Sequence, residues 1–192
     1  MDTYRTVLYV HVLSLLLGIS AAAVVSVCLF RLRSAQTLAD ALPWGMLAGK
    51  TERVFPVAII GLFATGAYMT NDVWTWSTRW IDVSIVALVV VALQGPLLAG
   101  FRAKMLERAL VANGPGSLGD SARRLARDPI LWVVTFANPG IVLGILWNMV
   151  NKPGIGESIA AVIVGYAVGA AVALPFTRGR AVEAPAATHP TA

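Results

Sequence analysis

The pattern of hydrophobic and polar positions divides the chain into long apolar runs separated by short polar segments. A helix needs about 20 mostly apolar residues to cross a hydrocarbon core of about 30 Å, because lipid offers no partners for its backbone polar groups. Five runs have about that length, at 7–30, 54–71, 81–101, 130–150 and 155–176. The pattern therefore predicts an all-α membrane protein, built as a bundle of five transmembrane helices.

The same pattern predicts one domain and a tail. Residues 1–177 form the five-span domain, and residues 178–192, rich in Ala, Pro and Thr, are expected to form a disordered cytoplasmic tail. The fourth and fifth runs are separated only by residues 151–154, a tight turn that suits two antiparallel helices, with a re-entrant pair as the alternative. The first run exceeds a signal-peptide core of roughly 7 to 15 residues, so we expect an uncleaved span, although the alanines at 21–23 leave processing open.

Composition supports a membrane location. Of the 192 residues, 57% are hydrophobic and only 13% are charged, against about 25% charged in an ordinary soluble domain. This excludes a soluble globular protein. Cys28 is the single cysteine, so it forms no internal disulfide and is expected to be a packing residue.

The distribution of positive charge predicts the orientation. The chain has 15 Lys and Arg, and all but Arg5, Arg79 and Lys152 fall in the segments 31–53 and 102–127 or after residue 177. Because cytoplasmic loops retain Lys and Arg, the N-terminus is predicted outside and the C-terminus in the cytoplasm. The predicted location is the bacterial cytoplasmic membrane.

The two predicted cytoplasmic loops differ in character. Residues 34–51 are apolar enough to lie as a short interfacial segment on the membrane surface. In the other loop, residues 102–110 are expected to continue the third helix, 113–119 to break it, and Asp120 to cap a new turn. Its arginines predict attraction to anionic lipid, on the order of 1 kcal/mol per charge. Nucleic-acid binding is not expected, because no aromatic platform accompanies the charge.

Tryptophan and small residues add detail to the bundle. Indole favours the headgroup level, so Trp44 and Trp132 are expected at the inner interface. The outer interface is expected to hold Trp74, Trp76, Trp80 and Trp147. Small residues spaced by four, which allow helices to approach closely, occur in Gly18 and Ala22, Gly61 and Thr65, Gly140 and Gly144, and Gly165, Gly169 and Ala173.

A break is predicted inside the third span. Pro96 follows Gln94 and Gly95, and a proline in a helix removes one hydrogen bond and frees a carbonyl. We expect a structural kink in which Gln94 satisfies the freed backbone. The alternative is a hinge in an ion pathway.

His11 is the main candidate for chemistry. It shares a helical face with Ser14, Gly18, Ala21 and Ala22, so it is predicted to point into the bundle. Other polar or sulfur-containing residues fall at the same outer level and predict a polar cluster there. They are Tyr68, Met69, Asn71, Asp82, Ser84, Asn148, Met149, Glu157 and Ser158.

Three interpretations of His11 remain open. The first is a hydrogen bond across helices, for example to Asp82 or Tyr68. The second is a ligand of haem b or copper, with Met69, Met149 or the His11 of a second subunit as the other ligand, since His189 lies in the tail. The third is a role in a proton or solute path, as is common for intramembrane ionisable residues. Asp82, close to the boundary, is expected to be a solvated residue at a helix start.

Several short motifs resemble a known family. They are the sequence from His11 to Leu13, that from Thr65 to Met69, Trp80, the pair Asp128 and Pro129, and the turn from Asn148 to Gly154. Through these motifs, residues 5–175 resemble the small bacterial integral membrane proteins called domain of unknown function 2269. That resemblance implies a fold and no activity. A more distant similarity to copper-resistance membrane proteins implies copper or haem, although this chain lacks a second intramembrane histidine.

The motifs of common enzymes are missing. The sequence contains no phosphate-binding loop, no Cys-x-x-Cys and no His-Glu-x-x-His, so an enzyme is not expected. The leading hypothesis is an accessory or interaction subunit of the membrane, either as a homo-oligomer or with a membrane-protein partner. The alternatives are a haem- or metal-binding electron carrier that uses His11, and a transporter of a small solute or ion.

Overall fold

The computed structural model describes residues 2–112 and 118–177. These form eight α-helices and one π-helical segment: α1 (Thr3–Ser34), α2 (Leu38–Glu52), α3 (Val54–Val73), α4 (Arg79–Gln94), the π-helical segment (Gly95–Gly100), α5 (Phe101–Ala112), α6 (Asp120–Leu125), α7 (Pro129–Asn151) and α8 (Ile155–Thr177). The tail at 178–192 and most of the predicted break at 113–119 lie outside the described residues.

Five helical stretches within this part of the chain are long and apolar enough to cross a membrane. They are Thr3–Ser34, Leu38–Val73, Arg79–Ala112, Asp120–Asn151 and Ile155–Thr177. Each contains one of the five predicted runs, which confirms the all-α five-span prediction for a multi-pass membrane protein. We call the end that carries Arg102 and Arg127 the basic end, and the end that carries Arg5 and Arg79 the opposite end.

Side chains next to the helix termini satisfy free backbone groups. The Asp128 carboxylate accepts hydrogen bonds from the backbone N–H groups of Ile130 and Leu131, at 2.9 and 3.3 Å, and so begins α7. At the other end of α7, Lys152 adopts a left-handed conformation with φ of 51° and closes the tight turn. One prediction is wrong: the N-cap of α6 is Gly119, and Asp120 lies in the first turn without a capping hydrogen bond.

Small residues set the closest helix contacts. A Cβ atom added at Gly140 would overlap the backbone oxygen of Gly165, and one added at Gly144 would lie 2.7 Å from the Ala161 oxygen. Between α1 and α3, a Cβ at Gly61 would overlap the Ser14 hydroxyl, while one at Gly18 would only touch Ala58 at 3.5 Å. The predicted role of small residues as helix contacts is therefore confirmed for these pairs.

The segment predicted to lie on the membrane surface is a helix that packs on others. Only Arg53 separates α2 from α3. Trp44 and Leu47 of α2 line a shared surface pocket with residues of α1, from Ala23 to Cys28. A Cβ added at Gly45 would lie 3.8 Å from Leu110 of α5. Consequently α2 packs on α1 and α5. Helices α2 and α3 both pack along α1.

The largest buried cluster lies at the basic end. Trp132 is fully buried, and its indole N–H donates to the Ala126 backbone oxygen at 3.0 Å. Its ring stacks on Phe176 with centroids 5.1 Å apart and meets Phe30 edge-on at the same distance. Because this hydrogen bond satisfies its polar group, the ring needs no contact with the headgroups. Trp132 therefore joins α1, α7 and α8 from the inside, and its ring is buried among helices and not exposed on the surface of the bundle.

Candidate functional site

His11 lies between α1 and α3. Its side chain is buried, and its Nδ1 atom is 2.8 Å from the Thr65 hydroxyl oxygen. That hydroxyl donates its own hydrogen to the Gly61 backbone oxygen one turn earlier. Thr65 must then accept from His11, so the proton of the neutral ring is on Nδ1 and Nε2 keeps its lone pair.

Thr65 replaces the partners expected for His11. Tyr68 is 40% exposed, and Asp82 is half-buried on α4. The predicted hydrogen bond across helices is confirmed, but with Thr65 and not with either example partner, because α1 packs mainly on α3 and presents His11 to the face of Thr65 and Gly66. The ring carbon Cε1 is 3.6 Å from where a Cβ of Gly66 would be, an ordinary contact distance, so the ring lies directly against this face of α3.

The two methionines proposed as ligands are separated. Met69 is half-buried on α3, one turn beyond Thr65 on the same helical face. A helical side chain leans toward the preceding turn, which directs Met69 toward the level of His11. Met149 instead packs beside Ala87, Ile141 and Ile145, in a cluster between α4 and α7. Within residues 2–112 and 118–177, no group of three or more His, Cys, Asp and Glu side chains is arranged to hold a metal ion.

The predicted outer cluster is divided among several places. Asn148 and Ser158 are fully buried between α7 and α8, where the Asn148 amide donates to the Ser158 backbone oxygen at 3.3 Å. Asn71 is exposed and accepts a hydrogen bond from the Trp76 indole at 2.6 Å. Ser84 bonds to its own helix, at the Trp80 oxygen. These groups lie near the same end of the molecule but do not form one site.

A second buried polar place lies near the middle of the spans. The side-chain oxygens of Gln94 on α4 and Asn138 on α7 are buried and have no hydrogen-bond partner among the described residues. Gln94 shares a helical face with Ala87 and Val91, and Asn138 shares one with Ile141, all members of the α4–α7 cluster. Helical spacing therefore places both amides on the faces that α4 and α7 turn toward this cluster.

The break in the third span takes a different form from the one predicted. The residues after Gln94 form the π-helical segment Gly95–Gly100, and no hydrogen bond from Gln94 to the freed backbone is present in the described structure. The π-helical segment itself accommodates the missing N–H of Pro96. The sequence analysis did not single out Asn138. The feature that could have indicated a buried polar group there is the Asn138-Pro139 pair inside an apolar run.

The charges at the basic end are held by packed helices. We call the cationic surface of α5, α6 and the residues just after α6 the basic platform, formed by Lys104, Arg108, Arg123, Arg124 and Arg127, all exposed. Beneath it lies a buried apolar layer made of Leu106, Leu110, Leu118, Ala122 and Ala126. A salt bridge from Arg102 to Asp128 joins α5 to the start of α7. The sequence predicted the charge but not this packed support.

Comparisons with profiles of protein families, with curated proteins and with solved structures find no match. The resemblance to the domain of unknown function 2269 family stays a prediction.

Proposed function

We propose that the chain is an accessory or interaction subunit of the bacterial cytoplasmic membrane, and that its basic platform binds an acidic surface of a second membrane protein. One observation carries this proposal. The five cations of the platform are mounted on helices that share a buried layer, and only Glu107 and Asp120 are acidic and exposed on the same helices. A surface whose charges are held in place recognises a partner with less loss of conformational entropy than a loose loop.

The side-chain chemistry of the platform suits carboxylates on a partner protein. Four of the five cations are arginines, whose planar guanidinium groups pair with carboxylates in a bidentate geometry.

Site-specific photocrosslinking in native membranes tests this function. A photoreactive residue replaces Glu107, which is exposed in the middle of the platform. The expected result is a discrete crosslinked protein whose yield falls at least fivefold when Arg108→Glu and Arg124→Glu are added. Arg79→Glu, an exposed charge reversal at the opposite end, is the matched control and leaves the yield unchanged. Crosslinks to lipid alone, or equal loss with the control, contradict the proposal.

His11 supports a second candidate function, a membrane electron carrier with haem b or copper as its cofactor. The supporting observation is the hydrogen bond from Nδ1 to Thr65, since a partner on one ring nitrogen orients the other toward a metal. Met69 is the nearer of the two candidate thioether ligands, and the His11 of a second copy is the other possible ligand. Met149 is no longer a candidate, because it packs between α4 and α7.

The visible spectrum and metal content of the purified chain test this second function. After supplementation with haem or copper, the wild-type protein is expected to retain one of them, with a Soret band in the case of haem. His11→Ala should abolish retention. Met149→Leu, which conserves volume in the α4–α7 cluster, is the control and should retain it fully. A wild-type chain that holds neither cofactor eliminates this function.

A further inference from the structure

A small cavity at the basic end is lined by three arginines. It lies between the end of α1 and helices α2, α5 and α6, with a volume of about 20 Å³. One water needs about 10–15 Å³ on the same scale, so the cavity holds a group the size of one oxygen atom. We call its polar rim, Arg33, Gln36, Arg123 and Arg127, the arginine cleft; the floor includes Leu106 and Leu110.

Two of the three guanidinium groups are held by hydrogen bonds to the backbone. Arg33 donates from Nη1 to the Phe176 oxygen at the end of α8, and its guanidinium carbon lies over the Trp132 ring at 5.4 Å. Arg123 donates from Nε to the Leu118 oxygen at 3.0 Å. Each of these bonds uses one N–H group and leaves others of the five on each guanidinium. The cleft is therefore preorganised and still rich in donors.

The charges of the cleft have no counterion among the residues that line it. No Asp or Glu in the described parts of the chain contributes to its wall. Arg33 and Arg127 line the same small cavity, so their like charges are neighbours. The neighbouring Asp128 is already paired with Arg102. Like charges gathered over an apolar floor are stabilised by an anion, because partial burial strengthens both the repulsion and the compensating attraction.

We propose that the arginine cleft binds a phosphate group, with one phosphoryl oxygen in the cavity and the others on the guanidinium groups of Arg33, Arg123 and Arg127. Guanidinium forks match the geometry of phosphate oxygens, and these charge-assisted hydrogen bonds are the stronger kind. The site goes beyond the proposed subunit function, because it takes a small anion and uses Arg33, which is not part of the basic platform. Its phosphate comes from a lipid headgroup or from free phosphate.

Binding by the full purified chain in a neutral detergent distinguishes the two sources. Calorimetric titration with inorganic phosphate tests the free anion, and native mass spectrometry with phosphatidylglycerol, against phosphatidylcholine, tests the headgroup. Arg127→Gln is expected to weaken binding at least tenfold in whichever assay shows it. Arg108→Gln removes an equally exposed charge that does not line the cleft, and its affinity should stay within twofold of wild type.

The outcomes are separable. Retention of phosphatidylglycerol over phosphatidylcholine without phosphate binding supports the site with lipid as the source, and binding of both probes supports it with either source. Equal weakening by Arg108→Gln and Arg127→Gln shows diffuse charge and overturns the site, as does the absence of binding in both assays. Arg33→Lys keeps the charge, loses the fork, and should weaken binding while the melting temperature stays near wild type. Failure here leaves the crosslinking test of the platform unaffected, because that test uses Arg108 and Arg124.

Discussion

At the scale of single residues, the polar groups inside the apolar spans divide into those with partners and those without. His11, Thr65 and the Gly61 oxygen form a short chain in which every bond has one donor and one acceptor. The side-chain oxygens of Gln94, Asn138, Asn148 and Ser158 have no such partner within the described residues. A buried acceptor left without a donor costs about 1–3 kcal/mol, so the two groups should respond oppositely to apolar substitution.

Thr65→Val should destabilise the protein. The valine is close in shape but removes the oxygen that accepts from His11, so a buried N–H is left unpaired, at a cost of about 1 kcal/mol. Thermal unfolding in detergent measures the change. Thr70→Val is the control, because the Thr70 hydroxyl bonds only to the Gly66 oxygen of its own helix. If both variants have the same melting temperature as the wild type, the hydrogen bond contributes nothing to stability.

Asn138→Leu should stabilise the protein. The leucine is similar in size and replaces an unpaired amide oxygen by apolar atoms in an apolar region, with an expected gain of about 1 kcal/mol in the free energy of unfolding. Asn148→Leu is the contrasting variant and should gain little or nothing, because its buried oxygen is also unpaired but its amide N–H donates to the Ser158 backbone oxygen, a hydrogen bond that leucine loses. Equilibrium unfolding in mixed micelles gives both values. A loss of stability in Asn138→Leu would mean that its oxygen has a partner.

At the scale of helices and their contacts, the closest pair is α7 with α8, where glycines face backbone atoms directly. Lipid tails are as apolar as leucine side chains, so helices in a membrane gain little from burying apolar surface and depend on close packing. The pair α1 and α3 has fewer such glycine contacts, at Gly18 and Gly61. Close backbone contact therefore holds each pair together.

Gly140→Ala should separate α7 from α8. Its new methyl group would overlap the Gly165 oxygen, and a backbone atom cannot turn aside as a side chain does, so we expect a loss of about 2 kcal/mol. Gly156→Ala is the control in the same helix pair, since nothing lies within 4 Å of its added Cβ. The melting temperatures of the two variants test this expected loss of stability. Equal melting would show that the glycine seam is not closely packed.

The elements that the sequence predicted well are those that depend on local composition. The five spans follow from apolar length, and the turn at 151–154 from Pro153 and Gly154. The packing of α2 was missed because an apolar segment satisfies a membrane surface and a neighbouring helix equally well. The Thr65 partner of His11 was missed for a similar reason, because it depends on the register of α1 on α3, which no local pattern encodes.

At the scale of the whole molecule, five spans that each cross a membrane would place the two ends of the bundle on opposite sides of it. His11 would then lie toward one side and the basic platform beyond the other, so that the two proposed functions would face different compartments. The charge distribution favours the cytoplasm for the platform. A partner of the platform and a ligand of His11 would not compete for space.

Cysteine labelling in intact cells tests this arrangement. Cys28 is fully buried, so Cys28→Ala gives a background without a native thiol. In that background Arg5→Cys should react with a membrane-impermeant maleimide in intact cells, and Glu107→Cys only after permeabilisation. Both positions are exposed, so accessibility to the reagent is matched. Reaction of Glu107→Cys in intact cells would show that the orientation is the reverse of the predicted one.

The turn at Lys152 has a consequence for how the chain enters the bilayer. Only Lys152, Pro153 and Gly154 lie between α7 and α8. These are too few residues for one helix to insert into the bilayer while the other stays far from it. We therefore expect the two helices to enter the bilayer together as a hairpin, with α8 covering the glycines of α7. A chain that stopped before Gly165 would leave Gly140 without its close neighbour on α8 and expose that face of α7 to lipid.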